Sequence, residues 1–171
     1  MALALWLQGY PAQALQSSHK ALALAHELTH PFSLAFALYF AAVLHQLRQE
    51  GQAAQERLEA AITLSAEQGF SFWLASGTMV RGWALAEQGQ GEERIAQMRQ
   101  GLAAYRATGA ETLRPYYLAL LAEAYGKVVQ VEEGLNTLAE ALSLVDKNGE
   151  RFYEAELYRL KGELTLAQSS V

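Results

Sequence analysis

The sequence contains no cysteine. That excludes disulfide staples and thiolate metal sites, and it fits a reducing compartment, so a cytoplasmic protein is expected. It has only three prolines, at positions 11, 31 and 115, so long helices are rarely interrupted. No run reaches the roughly 18 apolar residues that a membrane span needs. The opening MALALWL is apolar but short, and it lacks the basic leader and small-residue cleavage site of a signal peptide. Positive charge is also sparse: 13 Lys and Arg stand singly against 18 Asp and Glu, for a net charge of −5. Phosphate neutralisation needs clustered Lys and Arg, so nucleic acid is not an expected partner.

Catalytic signatures are missing as well. There is no Gly-x-x-x-x-Gly-Lys loop and no Gly-x-Ser-x-Gly elbow. The Gly89-Gln-Gly91 pair follows no strand and reads as a tight turn. His19 and His26 share a helix, but the sequence nominates no third ligand for a metal. His30 precedes Pro31 in a linker, and His45 has no activated partner for general-base work. The pairs Glu92-Glu93 and Glu132-Glu133 open helices, where negative charge meets the positive end of the helix dipole. No enzyme activity, metal or cofactor is expected.

What the chain has in abundance is apolar helix-forming residues. Hydrophobic residues make up 51% of it, and Ala, Leu, Glu and Gln dominate. The decisive pattern is self-similarity at a fixed offset of 40 residues, with no insertion or deletion. Ala2, Ala42, Gly82, Ala122 and Gly162 form one small-residue column. Ala21, Ala61, Gly101 and Ala141 form another. Gly69, Gly109 and Gly149 share a third. Phe32, Phe72 and Phe152 share a register that Thr112 breaks, and Ala35, Ala75 and Ala155 share one that Pro115 breaks.

Each unit reads as two helices. The first covers 32–49, 72–88, 112–127 and 151–168, with a truncated copy at 1–8. The second covers 11–28, 52–68, 92–108 and 131–148. Apolar residues recur at three and four, as in Leu15, Leu22 and Leu58, Ile62, which marks amphipathic helices. Gly9-Tyr10-Pro11 stops one helix and places Pro at the start of the next. Gly51, Gly89 and Gly91 mark bends, and Gly69, Gly109 and Gly149 sit where a helix ends left-handed. The small columns predict close crossings of Ala42 with Ala61, Gly82 with Gly101 and Ala122 with Ala141. Gly162 is expected to serve a similar approach. Leu58, Met98 and Leu138 fill the layer between units. The expected fold is all-α: a right-handed superhelical stack of antiparallel helix pairs, about nine helices. Its units cover approximately 1–30, 31–70, 71–110, 111–150 and a partial 151–171.

This pattern resembles the tetratricopeptide family, in which a small residue on the first helix meets a small, large, small spacing on the second. Ala54, Leu58, Ala61 and Gly134, Leu138, Ala141 match that spacing, while Arg94, Met98, Gly101 loses its first small position. The repeat is longer than the usual 34 residues. It is similar to the superhelical variant in large bacterial signalling proteins. One such group is the maltose-regulon activator and its LuxR-type relatives. The other comprises multidomain proteins with a class III nucleotide cyclase domain, an AAA-type ATPase domain and a C-terminal tetratricopeptide region. HPFSLAFALYFAAVLHQLRQEG, RGWALAEQGQGEERIAQMRQGLAAYRATGAE and RPYYLALLAEAYGKVVQVEEGL look closest to the cyclase and ATPase group. The resemblance implies a protein-binding scaffold, a regulatory part of a longer signalling protein. The alternative it implies is a sensor of a small ligand such as an oligosaccharide.

In related repeats the first helices line the concave surface. The concave registers here hold Leu3 and Trp6; Phe36, Tyr39, Val43 and Gln46; Ser76, Met79 and Trp83; Tyr116, Ala119 and Glu123; and Glu156, Arg159 and Glu163. Phe36, Tyr39, Met79, Trp83, Tyr116, Glu123 and Arg159 are the candidate groove residues. Either they contact a partner, or the aromatic ones fill the inside of a tightly curved stack. As a groove they would take a protein or peptide, or a neighbouring domain of the same chain. Its aromatic part would sit at units two and three and its basic part at units four and five. Self-association is also expected. It would use Leu3, Leu5, Trp6 and Leu7 at one end and Tyr153, Leu157, Leu160 and Leu164 at the other.

Overall fold

A computed structural model describes residues 1–86 and 91–169. Among these residues there are nine helices and no strand. The first helices of the units are α1 (Ala2–Leu7), α3 (Pro31–Leu47), α5 (Ser71–Ala86), α7 (Arg114–Lys127) and α9 (Glu154–Gln168). The second helices are α2 (Pro11–Glu27), α4 (Gly51–Gln68), α6 (Gly91–Ala107) and α8 (Val131–Asn148). Successive first helices touch one another, whereas second helices touch only first helices. The stack therefore curves with the first helices inside and the second helices outside.

Local chemistry sets the helix ends. Pro11 and Pro31 occupy the first helical position, where a missing N–H costs nothing. Gly51 and Gly91 open α4 and α6; Gly89 lies outside the described residues. Two registers per unit turn left-handed after a helix. One is Thr29, Gly69, Gly109 and Gly149, with φ of 48°, 72°, 79° and 74°. The other includes Gly9, Gln49 and Val129, with φ of 83°, 60° and 62°. The turn geometry is thus kept even where glycine is not, at a steric cost to Thr29 and Val129. Unit four departs from the register. Leu113 itself turns left-handed, and Pro115 must lie in the first turn, so α7 begins at Arg114 and not near residue 112. The Leu113 N–H donates to both carboxylate oxygens of Glu150, at the other end of the same unit, at 2.8 and 3.0 Å. Helix α9 likewise starts at Glu154, three residues later than the repeat implied.

The small residues do permit close packing, but the contacts are staggered. A methyl group on Gly101 would meet the Met79 backbone nitrogen at 3.0 Å and the Ala75 carbonyl at 3.4 Å. One on Gly82 would overlap Met98 Cγ and meet the Arg94 carbonyl at 3.4 Å. Gly82 and Gly101 therefore each face the partner helix about one turn from the other, instead of facing each other. Gly134 repeats the Arg94 contact in unit four, with the Ala122 carbonyl at 3.3 Å. Gly162 meets nothing within 4 Å, because its register faces the following second helix and α9 is the last described. Leu58, Met98 and Leu138 are fully buried, and Met98 packs on Gly82 of its own unit.

Helix α9 also corrects the expected end surface. Leu157, Leu160 and Leu164 are buried against α7 and α8. Leu164 covers Gly126 and Gly134, whose bare backbones admit its methyl groups. The large apolar residues α9 leaves exposed are Tyr158 and Leu166.

Candidate inner groove

The inside of the curve is filled in its middle and open at one end. Tyr39 on α3, Met79 and Trp83 on α5 and Tyr116 on α7 are all at most 1% exposed. A chain of ring contacts joins Tyr39 to Tyr116 through Trp73, Phe72, Tyr105 and Tyr117. Trp73 lies 5.4 Å from Tyr39, Tyr105 lies 4.9 Å from Tyr117, and Tyr116 lies 5.0 Å from Tyr153, centroid to centroid. Two hydrogen bonds skip a whole unit. The Tyr39 and Tyr117 hydroxyls stand 2.7 Å apart, and the Tyr116 hydroxyl donates to Gln46 Oε1 at 2.9 Å. Ser76 lies beside Tyr117 from α5, at the register that Phe36 and Tyr116 occupy in the neighbouring units. Its small side chain lets α3 and α7 reach each other over α5. Burial pushes all three tyrosine hydroxyls well above their ordinary range. They stay neutral and able to donate at every physiological pH.

Beyond this plug lies a groove of about 980 Å3. Leu3, Trp6 and Leu7 of α1 and Leu47 of α3 form its apolar wall. Phe152 and Tyr153, before α9, add aromatic rings. Its charged residues are Glu123 and Lys127 of α7 and Glu156, Arg159 and Glu163 of α9. Glu123 is held from beneath: Trp83 Nε1–H donates to its Oε2 at 2.8 Å, across one repeat of 40 residues. Burial raises the Glu123 carboxyl above its usual range, while the indole hydrogen bond opposes the shift. Lys127 stands 3.6 Å from the other oxygen, beyond hydrogen-bond distance. Arg159 is taken up by its own helix, with Glu156 and Glu163 each 2.5 Å away.

Of the residues expected to face a ligand, Glu123 and Arg159 line this groove. Tyr39, Met79, Trp83 and Tyr116 form its buried floor and plug, as the packing alternative has it. Phe36 is elsewhere. With Phe32, Leu24 and Leu28 it borders a shallow apolar hollow of about 400 Å3 between α2 and α3. Leu3, Trp6, Glu156 and Glu163, placed on the concave registers by the repeat, do line the groove. Leu7, Leu47, Lys127 and Phe152 were not placed on the concave registers. Leu7, Leu47 and Lys127 share one register and Phe152 shares that of Phe32 and Phe72, but only the curl of the stack brings α1 and α3 to the same opening as α7 and α9.

No protein-family model matches the chain. Over 164 residues it is 24% identical to an uncharacterized protein of Rhizobium meliloti (strain 1021). That match covers 96% of this chain but spans only 16% of the relative's length. Among solved structures, a kinesin light chain from Podosopora anserina with nearly identical TPR-like repeats superposes with a TM-score of 0.60 at 20% identity. The superposition covers 99% of this chain and 92% of that one. The fold is a TPR-like α-solenoid. A point variant of the same kinesin light chain matches the solenoid equally well, again with a TM-score of 0.60. The closed interior of this solenoid follows from its curvature, which within about two units brings α3 against α7.

Proposed function

We propose that the solenoid is a non-catalytic protein-interaction scaffold, and that its inner groove holds a segment of a partner protein or of a neighbouring domain. The observation that carries this is the groove itself. It is about 980 Å3, walled by leucines and by Trp6 and rimmed by charge, on the inner face of a rigid helical stack. Among the described residues no group of three or more His, Asp or Glu could hold a metal. No described helix is long and apolar enough to cross a membrane. For the oligosaccharide alternative, Tyr39, Trp83 and Tyr116 are interior and offer no face to a sugar ring, whereas Trp6 lines the groove. A regulatory role within a larger bacterial signalling protein rests on the sequence resemblance and on the much longer Rhizobium relative.

The test is site-specific photo-crosslinking in cells that make the protein. A benzoylphenylalanine at Gln49, on the groove, should trap one protein segment reproducibly. The same group at Gln100, exposed on α6 and outside the groove, should not. Leu7 is 57% exposed, so Leu7→Glu should abolish the Gln49 adduct without unfolding the chain. Equal yields from both positions, or an adduct indifferent to Leu7→Glu, would refute the scaffold reading.

A further inference from the structure

We propose that the α7–α9 end of the groove is a seat for a cationic side chain, arginine or lysine, carried by the bound protein segment. This rests on the reading of the groove as a protein-binding surface and adds the chemistry it selects.

Three carboxylates and two cations line the groove, and the cations do not offset the carboxylates evenly. The Arg159 fork is divided between Glu156 and Glu163, so its donors are already engaged on its own helix. Lys127 makes an ion pair with Glu123 Oε1 at 3.6 Å, longer than a hydrogen bond. Glu123 stands where only 17% of its side chain meets solvent, in a groove whose carboxylates outnumber its cations by three to two. A partly desolvated carboxylate in a groove of net negative charge gains more from a new cation than an exposed one does.

The surroundings fit an organic cation better than a bare metal ion. Trp6, Phe152 and Tyr153 bring three aromatic rings to the same cavity, and ring faces attract guanidinium and ammonium groups. Trp6 makes no stacking contact with another ring in the described structure. The leucine wall suits the methylene stem behind such a head group. Trp83 fixes the carboxylate before any ligand arrives, so little ordering is needed on binding.

The test uses three matched twelve-residue amphipathic peptides, blocked at both ends and alike in their leucines. Their polar positions carry arginine, citrulline or glutamate. The reporters are the indole N–H signals of Trp6 and Trp83 in the isotope-labelled chain. The arginine peptide should shift both signals saturably and bind about tenfold or more tightly than the citrulline peptide. The glutamate peptide should bind weakest. Glu123→Gln keeps an acceptor for Trp83 and removes the charge, so it should erase the arginine preference. Should that variant melt earlier, the salt dependence of the unmodified chain decides the same point. Arginine-peptide affinity must fall as ionic strength rises from ~0.05 to ~0.5 M. Equal affinity for arginine and citrulline peptides, with Trp6 still shifting, overturns the cation seat and leaves the groove reading standing. No shift of Trp6 or Trp83 by any peptide overturns both.

Discussion

The hydroxyls of Tyr39 and Tyr117 lie 2.7 Å apart although 78 residues separate them in the chain. They come from the first helices of units two and four, and their contact passes over unit three. A solenoid is ordinarily held by nearest-neighbour contacts alone. Here a second-neighbour bond ties the curve shut and turns what could have been an open channel into core.

That bond has a measurable signature. Tyr39→Phe or Tyr117→Phe alone leaves a buried hydroxyl short of a partner, and each should cost about 1–2 kcal/mol in urea unfolding. The double variant should cost clearly less than the sum, with a coupling of about 0.5–1.5 kcal/mol. Additive losses would mean that the two hydroxyls do not bond in solution.

The left-handed turns make a second prediction. Val129 is 75% exposed with φ of 62°, so it carries backbone strain and little packing. Val129→Gly removes a penalty of about 1–2 kcal/mol but gains unfolded-state entropy worth about 0.4–1 kcal/mol. The net effect should be a stabilisation of up to about 1.5 kcal/mol, read as a raised melting temperature. In contrast, Gly69→Val, with φ of 72° at a corresponding helix end, should lower it. A destabilising Val129→Gly would show that the turn is not strained.

Two helical glycines should respond oppositely to the same change. A methyl on Gly101 would press the Met79 nitrogen at 3.0 Å, and backbone there cannot move aside cheaply. Gly101→Ala should therefore destabilise by about 1–3 kcal/mol. Gly162 has open space around it, so Gly162→Ala should stabilise by up to about 1 kcal/mol through helix propensity. Paired thermal melts of the two variants check both signs. Like signs would mean that the crossing at Gly101 is misplaced.

Much of the architecture was legible in one dimension. The 40-residue register placed the helices to within a few residues, and the glycine columns marked left-handed ends at Gly69, Gly109 and Gly149. These features follow from local rules: helical periodicity, the lack of a Cβ on glycine, and the missing N–H of proline. Repetition then tested each rule several times in one chain. The late start of α7 shows the limit, since Pro115 signalled a break without saying how the chain would route around it.

The sequence by itself determined which residues share a face: Trp83 and Glu123 stand one repeat apart in the same register, and they meet. What it could not determine was which shared faces stay open. That depends on the pitch of the superhelix, a sum of small rotations at every helix crossing, and each rotation is set by staggered contacts such as Gly82 with Met98 and Gly101 with Met79. Only the folded stack brings Tyr39 to Tyr117, burying the aromatic centre, while it leaves Trp6, Glu123 and Tyr153 around an open groove. A periodic sequence encodes the step between neighbours; the distance between second neighbours exists only once all the steps are taken together.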